Sequence, residues 1–442
     1  MSPTLRGFPY FEVQFRKDGA PADVAEIDAV RSFLAASAVT DLFVFSHGWN
    51  NDIPEARGLL DRFFSHVRSV ADGGSVPLAG RSFAIVAVLW PSKRFSERDR
   101  VAGGAASLGA PEGTAALAAQ LDDLQGVFDD PAADGRLEQA KALLAEIEFN
   151  PAAQRQFADL IRSMLPRDGE EPDDDASGQF FAVSGDELIG RLGRPILPGP
   201  PSGPGGGAAS LGGGAAAFNP LAGAGQFVSG VRAGAERLLN YATYWQMKNR
   251  AGLIGRGGVN ALLREISTAQ PSLKLHLVGH SFGGRLVTAA VLGPAGAAPL
   301  RPASLTLLQA AFSHYAFAQR YDAEHDGFFR AVVAGGRVTG PIVVTCTAND
   351  EAVGILYPLA SMIAGQVASA LGDRNDPFGG MGRNGAQKTP EAKDGKLLGM
   401  GGNYRFAAGA IFNLSADAVI KNHSDIAHDE VAYALLRAVA VT

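Results

Sequence analysis

The stretch Leu273-Lys274-Leu275-His276-Leu277-Val278-Gly279-His280-Ser281-Phe282-Gly283-Gly284 decides how this chain is read. An apolar run ends in Gly279-His280-Ser281-Phe282-Gly283, and apolar residues at helical intervals follow at once. A G-x-S-x-G pattern therefore sits at a strand-to-helix turn, the context in which it forms a nucleophile elbow. Gly279 and Gly283, two before and two after the serine, leave room for the strand and helix backbones to pass closely. The tight turn presents Ser281 Oγ at its tip, with the positive N-terminus of the next helix aimed at the same point. The alternative is an ordinary glycine-rich turn, so the rest of the chain must supply the partners a reactive serine needs.

Working outward, residues 10–15 alternate apolar and polar positions and predict a strand, and residues 25–36 carry helical spacing. Residues 41–46 form a short apolar run suited to a buried strand. Residues 53–70 repeat Leu59, Leu60, Phe63, Phe64 and Val67 at helical intervals, and residues 82–90 read as a buried strand stopped by Pro91. Beyond the insertion described next, helices are expected at 235–247, 259–266, 282–292 and 429–439, with strands at 304–310, 341–347 and 408–414. Alternation of this kind argues the α/β class, a mostly parallel sheet with helices on both faces.

Between these halves the rhythm changes. Residues 115–128, 137–147 and 154–165 look helical, with no strand pattern among them. The acidic stretch 167–178 holds Asp173, Asp174 and Asp175, but without metal-loop spacing it reads as a solvated loop. Residues 198–225 are dominated by Gly, Pro and Ala and cannot bury a core, so a flexible loop or hinge is expected. The expected organisation is a discontinuous core, 1–95 and 235–442, interrupted by a mostly helical cap at 96–234. Residues 372–402, rich in Gly, Asn, Asp and Lys, read as a long surface loop.

Bulk properties narrow the function. With 442 residues, 46% of them hydrophobic, the chain can bury a sizeable core. A net charge of −6 argues against nonspecific nucleic-acid binding, which needs a basic face. The one cysteine, Cys346, excludes an intrachain disulfide and lies in an apolar run as a buried thiol. No basic start followed by an apolar stretch opens the chain, and no run of about 18 apolar residues occurs. The nearest, 353–371, is broken by Pro358, Ser361, Gln366 and Ser369 and reads as a packed helix. A cytoplasmic protein without an integral membrane segment is expected; nothing in the sequence indicates its oligomeric state.

Serine is a poor nucleophile without a base, and the base needs an acid to orient it. After an elbow of this kind the acid comes next in the chain and the histidine last. Asp350 lies in the turn after the run Val343-Val344-Thr345-Cys346-Thr347 and is the expected acid, with Glu351 the adjacent alternative. Its structural alternative is an N-cap for the segment from Val353. Two of the eight histidines follow the last strand; His423, nearer the strand end, is the expected base, and His428 the alternative. Asp425 either seats the His423 loop or caps the terminal helix, with capping the preferred reading.

Acyl transfer also needs donors for an oxyanion. Phe282 N–H is one; the loop in Phe43-Val44-Phe45-Ser46-His47-Gly48-Trp49-Asn50-Asn51 offers the second, from Trp49 first and Asn50 next. The Trp49 side chain is either core or one wall of an acyl pocket. His47, Asn50 and His314 are candidates for substrate contact, although structural hydrogen bonding is the preferred reading for His47 and His314.

On Ser46-His47-Gly48-Trp49-Asn50, Gly279-His280-Ser281-Phe282-Gly283, Asn349-Asp350 and His423-Ser424-Asp425, the chain resembles the α/β-hydrolase superfamily, most closely a bacterial branch with an H-G-x-N loop. The resemblance covers about 1–95 and 235–442, not the insertion. It implies an eight-stranded, mostly parallel sheet and a Ser281–Asp350–His423 triad without metal or organic cofactor. It does not imply one substrate. The expected activity is hydrolysis of a small-molecule ester or lipid through an acyl-enzyme. The aromatic oxyanion loop and the Ala/Leu-rich insertion suggest an apolar acyl group. Interfacial lipase, phospholipase or thioesterase action is the enzymatic alternative, and a non-catalytic binding protein of the same fold the alternative of another class.

Overall fold

Short β-branched and aromatic runs become strands here, and the amphipathic segments between them become helices. The computed structural model describes residues 3–92, 114–167, 177–194, 230–350, 360, 362–364 and 378–442. The strands are β1 (Thr4–Leu5), β2 (Phe8–Gln14), β3 (Asp41–Ser46), β4 (Phe83–Leu89), β5 (Lys274–His280), β6 (Ser304–Leu308), β7 (Ile342–Cys346), β8 (Ala392–Lys396) and β9 (Ile411–Ser415). They form one sheet in the order β1-β2-β4-β3-β5-β6-β7-β9-β8. Only β1 and β2 pair antiparallel; every other neighbouring pair is parallel. Parallel neighbours need long crossovers, and helices such as Val24–Ala36, Ile53–Asp72 and Phe282–Leu292 lie in them. The fold is therefore α/β, a mostly parallel sheet flanked by helices.

The alternation of side chains along β3 assigns its residues to two faces. Phe43 and Phe45 meet Phe63 and Phe64 of helix Ile53–Asp72, with ring centroids 5.4 Å apart for Phe45–Phe63 and 5.8 Å for Phe43–Phe64. All four rings are fully buried, each stabilising the fold by roughly 1.5–3 kcal/mol relative to exposure. The terminal helix Asp429–Ala440 adds Val431, Leu435, Leu436 and Val439 to the same cluster. Helix Phe282–Leu292 packs against β3, β5 and β6. The entry to helix Ile53–Asp72 is tightly defined: Asp52 accepts the Glu55 N–H at 2.9 Å, and Glu55 accepts the Asp52 N–H at 2.7 Å. This reciprocal cap fixes where the preceding loop, Gly48 to Asn51, must end.

The sheet has nine strands rather than the eight implied by resemblance, and two of them escaped the sequence reading. β1 is two residues long. β8, Ala-Lys-Asp-Gly-Lys, lies within 372–402, where the composition predicts one long loop, and so does a short helix at Met381–Asn384. As an edge strand β8 buries almost none of its side chains, so no apolar alternation marks it. The expected helices at 235–247 and 259–266 are parts of one helical run: Val231–Ile254, a π-helical turn at Gly255–Val259, and Asn260–Ala269. Glycines 255, 257 and 258 interrupt the apolar period there and imitate a loop.

The chain forms two compact units, Met1–Ser92 with Met247–Val353 and Gly379–Thr442, and Lys93–Gln246 with Gly354–Phe378. The first holds the sheet. The second is helical among its described residues, with Thr114–Asp123, Ala133–Ala142, Pro151–Ser163, Ser177–Ala182 and Gly185–Leu192 around Leu137, Phe157, Ile161, Phe180 and Leu188. Asn150 caps helix Pro151–Ser163 by accepting the Ala152 N–H at 3.0 Å. The stretch 198–225, Glu351, and most of 167–178 and 353–371 lie outside the described residues. Among the described residues no helix is long and apolar enough to cross a membrane.

Candidate active site

Strand register brings distant residues to one edge. Ser46 pairs with Gly279, His280 with Leu308, Leu308 with Thr345, and Cys346 with Ser415. These pairs lie at the carboxyl ends of β3, β5, β6, β7 and β9. The loops that carry Gly48, Ser281, Asp350 and His423 therefore all leave the same edge of the sheet, where open α/β sheets bind ligands.

Ser281 itself occupies φ 56°, ψ −126°, a region that non-glycine residues rarely adopt. Such a backbone costs of order 1–3 kcal/mol and persists only when its surroundings enforce it. Here the Ser281 N–H donates to Leu308 O at 3.1 Å, and its carbonyl accepts from Gly284 at 3.0 Å and Ala311 at 3.1 Å. Gly283 allows the helix to begin so close to β3: a Cβ on it would lie 2.1 Å from Ser46 O. Phe282 opens the helix, fully buried, and its ring lies 5.7 Å from that of Trp49.

The His47 loop meets the serine from the neighbouring strand. A Cβ on Gly48 would stand 2.6 Å from Ser281 Cβ and 3.2 Å from its Oγ. His47 Nδ1 donates to the Gly48 carbonyl at 2.9 Å, while Nε2 accepts the Trp90 N–H at 3.2 Å. Trp90 Nε1 donates back to the His47 carbonyl at 3.0 Å, and the two rings stack. Burial pushes the His47 imidazole down to about 4, so it is a neutral brace for the loop. Asn50 adopts φ 61° and donates its N–H to Ser92 O at 2.8 Å. That bond commits the Asn50 N–H to the neighbouring loop.

Asp350 is fully buried, and His423 Nδ1 lies 3.0 Å and 2.9 Å from its two carboxylate oxygens. The alternative reading of Asp350, an N-cap, concerns a segment outside the described residues. Among the described residues no hydrogen bond joins Ser281 Oγ to the His423 ring. Asp417, in the turn after β9, clamps the acid loop to the base loop: it accepts from Thr347 Oγ1 at 2.9 Å, from Ala348 N–H at 2.7 Å and from Ser415 Oγ at 2.9 Å. Burial pushes the Asp417 carboxyl up, but these donors outweigh it and hold it below the usual range. Nothing in the sequence marks Asp417, because an aspartate in a turn is unremarkable until Thr347 and Ala348, about seventy positions away, are known to be its partners.

Asp425 seats the His423 loop, accepting from the Lys421 N–H at 2.9 Å and from His428 Nε2 at 2.7 Å. The preferred reading, a helix cap, is thereby corrected: His428 occupies the N-cap position without a side-chain cap bond. His314 is fully buried beside the β6 end, its Nδ1 3.2 Å from Asn384 Nδ2.

A second Asp–His–Ser set occupies the opposite edge. His276 Nε2 donates to Asp41 at 2.9 Å, and Nδ1 accepts from Ser304 Oγ at 2.8 Å. Arg81 adds a 3.1 Å bond to Asp41. These residues begin β3, β5 and β6, and His276 and Ser304 are fully buried, so no substrate reaches this serine.

The edge bearing Ser281 thus combines a hydroxyl, an Asp-paired imidazole and a helix N-terminus, the components of acyl transfer. No family model matches the chain, and no match is found among curated proteins or among solved structures.

Proposed function

We propose that the protein is a serine hydrolase of the α/β-hydrolase type that cleaves carboxylic esters. The observation that carries the reading is a serine held at φ 56° in a strand-to-helix turn, at the same sheet edge as a buried Asp350–His423 pair. In this reading His423 Nε2 takes the Ser281 proton as Oγ attacks the acyl carbon. Asp350 keeps the Nδ1–H tautomer and stabilises the imidazolium that forms. The N–H groups of Phe282 and Trp49 receive the oxyanion. The leaving alcohol takes the proton from His423, and a water deprotonated by the same ring releases the acid. The Oγ–Nε2 hydrogen bond, not made in this structure, is formed in the reacting complex, where such bonds often tighten.

A fluorophosphonate probe tests the reading. Ser281 of the folded protein is expected to be labelled, and Ser281→Ala to lower p-nitrophenyl ester turnover by on the order of 10⁶ with little change in melting temperature. Absence of labelling at Ser281, or turnover retained in the variant, sinks the proposal.

A further inference from the structure

Resting on the hydrolase reading, we propose that His280 is a positioning residue for the base. Its imidazole, rooted in the same turn as the nucleophile, holds the main chain of His423 and so sets where that ring stands relative to Ser281. His280 Nε2 donates to the His423 carbonyl at 2.9 Å, and the two ring centroids lie 5.0 Å apart. The bonds of residues 421–425 are otherwise largely local, Lys421 N–H and His428 to Asp425 and Ser424 N–H to Asn422, while the bonds to the acid loop fall earlier, from Asn349 Nδ2 to Ile420 O at 2.8 Å and from Thr347 and Ala348 to Asp417. Asp350 fixes the orientation of the His423 ring, while the bond from His280 fixes the backbone from which the ring hangs. Two such anchors are what a histidine on a loop needs to hold its geometry within a fraction of an ångström.

The chemistry of the His280 ring supports this role. Donation from Nε2 puts the lone pair on Nδ1, and buried Nδ1 has no hydrogen-bond partner. A buried acceptor without a donor is unfavourable, and an apolar residue of similar size would avoid that cost. The histidine is thus accounted for by its other nitrogen. The ring is also neutral, because burial, and then the neighbouring His423, push it down to about 3. A neutral donor can hold the base loop without placing a positive charge beside the imidazolium that His423 becomes.

The test compares His280→Leu and His280→Met, which lack the donor, with His280→Gln, which keeps a side-chain N–H at similar reach. The readouts are kcat and KM for a p-nitrophenyl ester, the rate of fluorophosphonate labelling, and the melting temperature. The donor-less variants should lose about 10- to 100-fold in kcat and in labelling rate, with KM within about twofold, and His280→Gln should recover most of the loss. Two apolar variants are used so that a folding failure in one leaves the other to report. Wild-type kcat in a folded donor-less variant overturns the inference. So does an equal loss in all three that tracks the folded fraction. If the wild-type protein is not labelled at Ser281, the hydrolase reading falls and this inference with it; labelling that is insensitive to His280 overturns this one alone.

Discussion

At Gly48 the loop after β3 passes so close to Ser281 that a side chain there has no room. A methyl group there would stand 2.6 Å from Ser281 Cβ, so Gly48→Ala must displace the loop, the elbow or both. Under the proposed hydrolase function, ester turnover should fall by about 10²-fold, the usual consequence of a misplacement near 1 Å, and the melting temperature should drop with it. Measured kcat/KM equal to wild type would show that the loop takes no part in the reaction. Much of the placement at this scale was legible in the sequence: the strand-to-helix turn at Ser281, Asp350 after β7 and His423 after β9 are marked by residue type and by position after an apolar run. What the chain does not display is which hydrogen bonds are already committed. Asn50 reads as the second choice of donor in its loop, and nothing in the sequence shows that Ser92 O takes its N–H. His280 reads as a variable position of its motif until its partner, the His423 carbonyl, folds against it.

Among elements, the two edges of the sheet carry similar side chains in opposite settings. At the amino edge, Asp41 is caught between His276 and Arg81, and burial, which alone would raise its carboxyl, is outweighed by the hydrogen bonds from His276 and Thr40. Burial pushes His276 down despite that carboxylate, so the pair is an ionised acid with a neutral imidazole. Asp41→Asn leaves Arg81 without its charge partner and should cost about 3 kcal/mol of stability, read from urea unfolding. Turnover per folded molecule should not change; a variant that is stable but inactive would place this edge in the chemistry. Elements were readable where burial on both faces wrote a mainly apolar run, as in β3, β4 and β7. They were unreadable where burial was slight, as in β8, or where glycines broke the period without breaking the helix, as at Gly255–Val259.

For the molecule as a whole, buried neutral histidines set a pH limit. His47 and His280 are pushed down by burial to about 4 and about 3, and His276 is lowered as well. Unfolded, each titrates near 6.5. Their contribution to stability is therefore complete above about pH 6.5 and is lost as pH falls, because the unfolded chain binds protons that the native state refuses. Each such histidine weakens the folding equilibrium by about tenfold per pH unit between its two pKa values. The exposed His325, raised by Asp322, has the opposite sign but is screened by solvent. Urea midpoints should thus fall steeply from pH 6.5 to 4.5, and His47→Gln should flatten that slope; a pH-independent midpoint would mean these rings are accessible to protons when folded. The class of fold could be read at this scale from the alternation of patterns. The inclusion of Gly354–Phe378 in the second unit has no mark in composition.

The position of β8 has a consequence for the durability of the site. Because the chain lays β8 outside β9, the strand that leads to His423 is hydrogen-bonded on both sides, to β7 and to β8. Fraying begins at the outermost strand, where a local opening costs least. That strand is also where a foreign strand would add, and Lys393, Asp394 and Lys396 discourage such pairing. β8 therefore works as a sacrificial margin: thermal opening and stray association are absorbed one strand away from the histidine, whose register survives events that would disturb it were β9 the border.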